Sequence, residues 1–264
     1  ELLCALPEGT GRAFVNADDD YADFVREHAR LDARRVETVL FDGSAAAAER
    51  RAQADAAQTA RPAVWAEQVE LDEQGRPRFR LHAVGFADAP EEETARCALT
   101  LRGLHNVSNA CAATAVGRAC GIPLAVCADA LAHAEPEAGR QEVLRARGGF
   151  TVVNDAYNAN PDSMRAALVT VAGMRRAGGR LIAVLGDMLE LGAAAADEHE
   201  KLGALAAELG FEVVAVGQLA DEIARGVRRG FGTVTRVSDV QEAVAVAQAN
   251  LQPADVVVVK ASRG

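Results

Sequence analysis

Beyond position 149 the chain alternates short apolar runs with longer stretches of mixed polarity. Runs rich in Val, Leu, Ile and Phe at 150–154, 180–185, 212–216, 233–237 and 255–259 predict strands. The stretches between them, about 162–175, 195–209, 218–229 and 239–251, carry apolar residues at helical spacing. Strands and helices in regular alternation predict an α/β fold with a mostly parallel, doubly wound sheet.

The first half has a different texture. Strands are predicted at 12–16 and 36–41 around a helix at 20–31, followed by an Ala-, Gln- and charge-rich stretch at 45–60 that reads as a helix or an exposed mobile segment. From 63 to 101 the pattern is β: strands at 64–71, 76–83 and 95–101, with Asp72-Glu73-Gln74-Gly75 as a hairpin turn. An Ala-rich helix at 106–120 closes at Gly121-Ile122-Pro123, a C-cap glycine and a breaker, and a second helix runs to 133. Residues 134–140 read as a linker, which divides the chain into 1–138 and 139–264.

Composition narrows the function classes. A formal net charge of −10 argues against nonspecific binding to nucleic acid. No apolar run approaches the ~20 residues of a membrane span, and Glu1-Leu2-Leu3-Cys4 lacks the basic and apolar parts of a signal peptide, so a cytoplasmic protein is expected. The cysteines Cys4, Cys97, Cys111, Cys120 and Cys127 show no metal-type spacing and are expected to be free thiols. Lysine occurs only at 201 and 260, which makes Lys260, beside Ser262 and Arg263, conspicuous. The start at Glu1 and the stop just after a strand give the chain the look of a fragment.

Candidate chemistry gathers where predicted strands end. Asp155, Tyr157, Asn158 and Asn160 cluster between the strand at 150–154 and the helix that opens at Pro161-Asp162-Ser163. Asn158, Asn160 and Asp162 can also be read as ordinary turn and cap residues. Gly186-Asp187-Met188, Gly217-Gln218 and Lys260-Ala261-Ser262-Arg263 follow later strands, so all these groups should share the sheet edge where open α/β folds bind ligands. A cation, a hydroxyl and a bidentate donor at 260–263 suit phosphate or carboxylate. In the first half, His105 and Asn109 lie one helical turn apart and could meet a ligand together, while Asn106 or Ser108 could cap the helix. Neither a G-x-x-x-x-G-K-[ST] loop, nor a G-x-G-x-x-G fingerprint, nor a G-x-S-x-G elbow occurs.

Taken together, His105-Asn106-Val107-Ser108-Asn109-Ala110, the Pro-x-x-Gly-Arg at 136–140, NDAYNANPDSM at 154–164, LGDMLELG at 185–192 with His199 after it, and VVVKASRG at 257–264 resemble successive signature blocks of the Mur ligases. Asn16-Ala17-Asp18-Asp19 is similar to the family's Asn-x-Asp-Asp. The blocks at 154–164 and 185–192 are similar to those of the members that add D-alanyl-D-alanine to UDP-N-acetylmuramoyl-tripeptide. The resemblance implies the later part of a central ATP-binding domain at 1–138 and a Rossmann-like C-terminal domain at 139–264. It further implies an ATP-dependent amide-bond former acting through an acyl phosphate, expected as a monomer. His105, Asn106 and Asn109 would then face adenine, Asp155 the ribose, and Tyr157, Asn158 and Asn160 the rest of the nucleotide pocket. Arg140 would reach the phosphates, while Asp187, Lys260, Ser262 and Arg263 would serve the incoming dipeptide or the acyl phosphate. His199 would cap or pack. The family's phosphate loop, carbamylated lysine and Mg2+ ligands are expected upstream of Glu1, which would leave this chain inactive alone. Ala261 departs from the family's Lys-Gly-Ser-Arg by one methyl, which would narrow its loop. Rival readings are another superfamily member, such as a folylpolyglutamate synthase, and a noncatalytic nucleotide- or peptide-binding module.

Overall fold

The structure is a computed structural model that describes residues 2–54, 61–135, 137–249 and 251–262. It divides into two compact units, residues 1–135 and 136–264.

In the first unit a 3-10 turn (Leu2–Ala5) precedes β1 (Arg12–Asn16), α1 (Ala22–His28), β2 (Glu37–Asp42), α2 (Ala47–Gln53), β3 (Ala63–Leu71), β4 (Pro77–Val84), β5 (Glu93–Ala98), α3 (His105–Ala119) and α4 (Leu124–Ala132). The sheet runs β1-β2-β3-β4-β5, parallel through β3 and antiparallel beyond it. The β3–β4 register shifts between Glu67 and Glu70, where Gln68 takes a positive φ of 55°, the signature of a bulge. The 72–75 turn forms as its residues predict: the Asp72 carboxylate accepts the N–H groups of Gln74 and Arg76, and Gly75 supplies the positive φ. Val107, Ala110, Cys111, Thr114, Ala115 and Arg118 form the buried stripe of α3, at helical spacing. Of these, Val107, Ala110, Cys111 and Ala115 pack with Val39, Val64, Leu81 and Phe86. All five cysteines are free, and burial pushes the Cys97 thiol up to about 11. Helix α2 occupies part of the 45–60 stretch; residues 55–60 lie outside the described residues.

In the second unit β6 (Glu142–Arg145), β7 (Thr151–Asn154), α5 (Pro161–Ala172), β8 (Leu181–Leu185), a 3-10 turn (Gly192–Ala194), α6 (Ala195–Glu208), β9 (Phe211–Val216), α7 (Ala220–Arg229), β10 (Val234–Val237), α8 (Val240–Gln248) and β11 (Val256–Lys260) follow in order. The sheet order is β10-β9-β8-β11-β7-β6, parallel except for β6, which runs antiparallel to β7 at the edge. The sequence pattern placed no strand at β6, because Glu142-Val143-Leu144-Arg145 is short, charged at both ends and nowhere fully buried. Val153, Leu181, Leu185, Val213 and Val258 meet Met164, Leu168, Leu202 and Ile223 in one core. Helices α6 and α7 cross at glycines. A Cβ on Gly203 would fall 2.1 Å from the Ile223 carbonyl oxygen, and one on Gly226 would fall 1.9 Å from that of Glu200.

Candidate functional site

In the second unit the loops that leave β7, β8, β9 and β11 are bonded to one another at the C-terminal edge of the sheet. Lys260, the last residue of β11, is buried, and its Nζ lies 2.7 Å from Asp155 Oδ2 and 2.9 Å from the Asn158 carbonyl oxygen. The other carboxylate oxygen of Asp155 accepts the Gln141 N–H at 3.1 Å. A buried ion pair is stable only when its remaining valences are also met. Here backbone groups of the 139–142 and 155–160 loops meet them, so Lys260 and Asp155 neutralise each other and tie 139–142, 155–160 and β11 together.

A second knot lies beside the first. Ser262 donates its N–H to the Asp187 carbonyl at 2.9 Å and its hydroxyl to the Ala159 carbonyl at 3.0 Å, while its Oγ accepts the Leu189 N–H at 3.1 Å. The Asp187 carboxylate accepts the N–H groups of Gln218 and Leu219 at 2.8 and 3.0 Å, ahead of the first turn of α7. His199 is fully buried on α6. Its Nε2 accepts the Met188 N–H at 2.9 Å and its Nδ1 donates to the Ala195 carbonyl at 2.6 Å, so it holds the 186–191 loop from beneath. Ala261 faces Gly186 across this junction: a Cβ on Gly186 would lie 2.6 Å from that of Ala261, so the extra methyl sits where only glycine can oppose it.

The polar groups after β7 divide into structural and open ones. Asn160 caps α5, accepting the Ser163 N–H at 2.8 Å while Ser163 Oγ accepts the Asn160 N–H at 3.0 Å. Asn158 is exposed and its Oδ1 accepts the Ala159 N–H at 2.8 Å. Tyr157 is exposed, and the Arg140 guanidinium lies over its ring at 4.1 Å from the centroid. Arg263 lies outside the described residues.

In the first unit, Asn106 Nδ2 donates to the Arg102 carbonyl at 2.7 Å and lies 3.2 Å from His105 Nε2, and Asn109 Nδ2 donates to Asn106 Oδ1 at 3.0 Å. The three residues therefore form one polar strip on the first turns of α3. Neither Asn106 nor Ser108 caps that helix. It opens at His105 behind Leu104 without a side-chain cap, because the Gly103 and Leu104 carbonyls already accept the N–H groups of Asn106 and Val107. Separately, Arg50 bridges Asp18 and Asp42 at the wall of a cavity of about 360 Å3, lined also by Asp19, Arg51 and Trp65. Asp18 and Asp42 thus both engage the same guanidinium.

Comparison with known proteins places this architecture. Residues 139–263 match the family model for the Mur ligase glutamate ligase domain. The chain is 37% identical, along 99% of its length, to UDP-N-acetylmuramoyl-tripeptide--D-alanyl-D-alanine ligase of Mycobacterium tuberculosis, of which it covers 50%. The chain belongs to the Mur ligase family. The ligase of the same description from Bacillus subtilis is 33% identical over 63% of this chain and 37% of that protein. A crystal structure of MurF from Acinetobacter baumannii superposes with a TM-score of 0.73 at 29% identity, covering 96% of this chain and 49% of the other. This Mur ligase chain thus spans about half the length of the Mycobacterium and Acinetobacter proteins it matches.

Within the Mur ligase chain the fold brings Arg140, Asp155, Tyr157, Asn158, Lys260 and Ser262 to one sheet edge and commits Asn160 to a helix cap. Gln141 and Met188 were not legible as partners, since each contributes its backbone N–H and no side-chain signal marks such a role. Among the described residues, no group of three or more His, Cys, Asp or Glu side chains is placed to hold a metal ion. Among them too, no helix is long and apolar enough to cross a membrane.

Proposed function

We propose that this chain is part of an ATP-dependent ligase that joins D-alanyl-D-alanine to UDP-N-acetylmuramoyl-tripeptide in the cytoplasm, acting as a monomer. The observation that carries this reading is the 37% identity to a ligase of that description along nearly the whole chain. The geometry supports it: four polar loops are braced at the strand C-termini, where open α/β sheets take ligands.

In this reading the terminal carboxylate of the tripeptide attacks the γ-phosphorus of ATP, displacing ADP and forming an acyl phosphate. The dipeptide amine then adds to the acyl carbon, the tetrahedral intermediate loses inorganic phosphate and a proton, and an amide bond remains. Negative charge builds on phosphoryl oxygens in the first step and on the former carbonyl oxygen in the second, so fixed donors are what the site must supply. His105, Asn106 and Asn109 would offer donors and acceptors to adenine, whose edge needs both. Asp155 would serve the ribose through a carboxylate already oriented by Lys260, with Tyr157 and Asn158 beside the nucleotide and Asn160 acting through its cap. Arg140 is the cation suited to phosphoryl oxygens: its side chain is 53% exposed, and its partner Glu137 is 77% exposed, so that pairing is weak and easily exchanged. Ser262 and Lys260, with Arg263 and Asp187, would shape the dipeptide end. The phosphate loop and the Mg2+ ligands are assigned to sequence outside these 264 residues. When bound, Mg2+ would offset phosphate charge.

The test uses the full-length protein with ATP, UDP-N-acetylmuramoyl-tripeptide and D-alanyl-D-alanine, each omitted in turn. Phosphate release should need all three, and mass spectrometry should find the pentapeptide product. Phosphate release that continues unchanged without the dipeptide would remove the assignment.

A further inference from the structure

Arg140 is held more firmly than an exposed arginine ordinarily is. Its guanidinium carbon lies 4.1 Å from the Tyr157 ring centroid, well inside the ~6 Å reach of a cation–π contact. The backbone fixes both partners: the Tyr157 N–H donates to the Gly139 carbonyl at 3.1 Å, and the Arg140 N–H to the Glu137 carbonyl at 3.0 Å. On its other side Gln141 donates its N–H to Asp155, the buried partner of Lys260. The residues on either side of Arg140 are therefore anchored to the 155–160 loop, and its side chain is anchored to that loop's ring.

From this arrangement we propose that Tyr157 is a positioning residue that acts through Arg140, holding the guanidinium plane in place for the phosphoryl oxygens of the nucleotide. One face of the ring is covered by the guanidinium, so Tyr157 contributes a π surface. An arginine free to rotate must be ordered when ligand binds, whereas one already stacked meets the phosphate with its donor fork in place. The proposal rests on the ligase reading above and deepens it: it assigns Tyr157 to arginine placement.

A double-mutant cycle in the full-length ligase tests the idea, read as affinity for a non-hydrolysable ATP analogue with Mg2+ by titration calorimetry. Tyr157→Leu should weaken binding roughly tenfold, while Tyr157→Phe and Tyr157→Trp, which keep a π face, should stay within about threefold. In an Arg140→Lys background, where the stacked plane is gone, Tyr157→Leu should cost less than about twofold. Tyr157→Gln is run beside Tyr157→Leu, with thermal unfolding followed for each, so that a folding defect in one leaves the cycle intact. Equal losses in both backgrounds overturn the proposal, as does a Tyr157→Phe loss matching that of Tyr157→Leu. The readout does not depend on which amine is ligated: a wild-type enzyme that binds the analogue but ignores D-alanyl-D-alanine sinks the ligase assignment and leaves this coupling to be judged by its own cycle.

Discussion

His199 shows how far a single residue can be understood from its neighbours. The Ala195 carbonyl can only accept and the Met188 N–H can only donate, so the ring between them must be neutral with its proton on Nδ1. A phenyl ring would fill the same space but strand the Met188 N–H in the core, and an unmet buried donor costs about 1–3 kcal/mol. His199→Phe is therefore expected to lower unfolding stability by that amount. His199→Gln, whose amide oxygen reaches toward the Nε2 position, should lose less. Urea unfolding of the full-length variants measures both, and equal losses would mean that ring packing rather than the hydrogen bond is at stake. The histidine itself was legible in the sequence as a residue following the Leu-Gly-Asp-Met block. Its partner was not, because a backbone N–H carries no sequence signal. The same limit applies to Gln141 and Asp155. Asn160 is the contrasting case: an asparagine followed by proline and, two residues later, serine spells a helix start, and it forms one.

Among elements, legibility followed burial. The β8, β9 and β11 runs are buried through most of their length and were readable as apolar blocks, whereas β6, half-exposed at the sheet edge, left no such pattern. The bulge at Gln68 was equally hidden, because nothing in Glu67-Gln68-Val69-Glu70 marks a register shift. The β3–β4 turn was readable, and it carries a pH-dependent contribution. Partial burial works to raise the Asp72 pKa, but hydrogen bonds from Arg76 and Gln74 outweigh it and hold the carboxyl at about 2, below its ordinary 3.8. A carboxyl depressed by folding stabilises the folded state above its unfolded pKa, and that contribution fades as pH falls toward the folded value. The hairpin should thus lose stability between about pH 4 and pH 2. Many carboxylates titrate in that window, so the informative quantity is the difference between the wild type and Asp72→Asn. The two unfolding curves should be furthest apart above pH 4 and converge toward pH 2. A constant separation through the window would show that Asp72 is not linked to folding.

At the scale of the whole chain, the division into two units has a thermodynamic consequence for the second. Its core runs from Val153 to Val258 and draws on α5, α6 and α7 together with every interior strand, all from residues 136–264. Its first and last interior strands, β7 and β11, are hydrogen-bonded neighbours, so the sheet closes upon itself in sequence. Arg180 and Asp255 add a link between β8 and β11: Asp255 is buried and accepts from the Arg180 guanidinium at 2.7 Å and from its backbone N–H at 2.9 Å. A segment of this size whose main core and smaller cluster of Val214, Val237 and Ala243 both lie within it meets the conditions for folding alone. Residues 136–264 expressed separately should unfold in one cooperative transition and have a radius of gyration of about 14 Å by small-angle scattering. Removing the buried charge with Asp255→Asn should lower that transition, since the Arg180 guanidinium would keep only a neutral acceptor in place of its carboxylate. A fragment that is expanded, or that melts without a cooperative step, would mean that this core depends on residues outside 136–264. The loop knots around Lys260 and Ser262 would then have to be understood as features that form only in the longer chain.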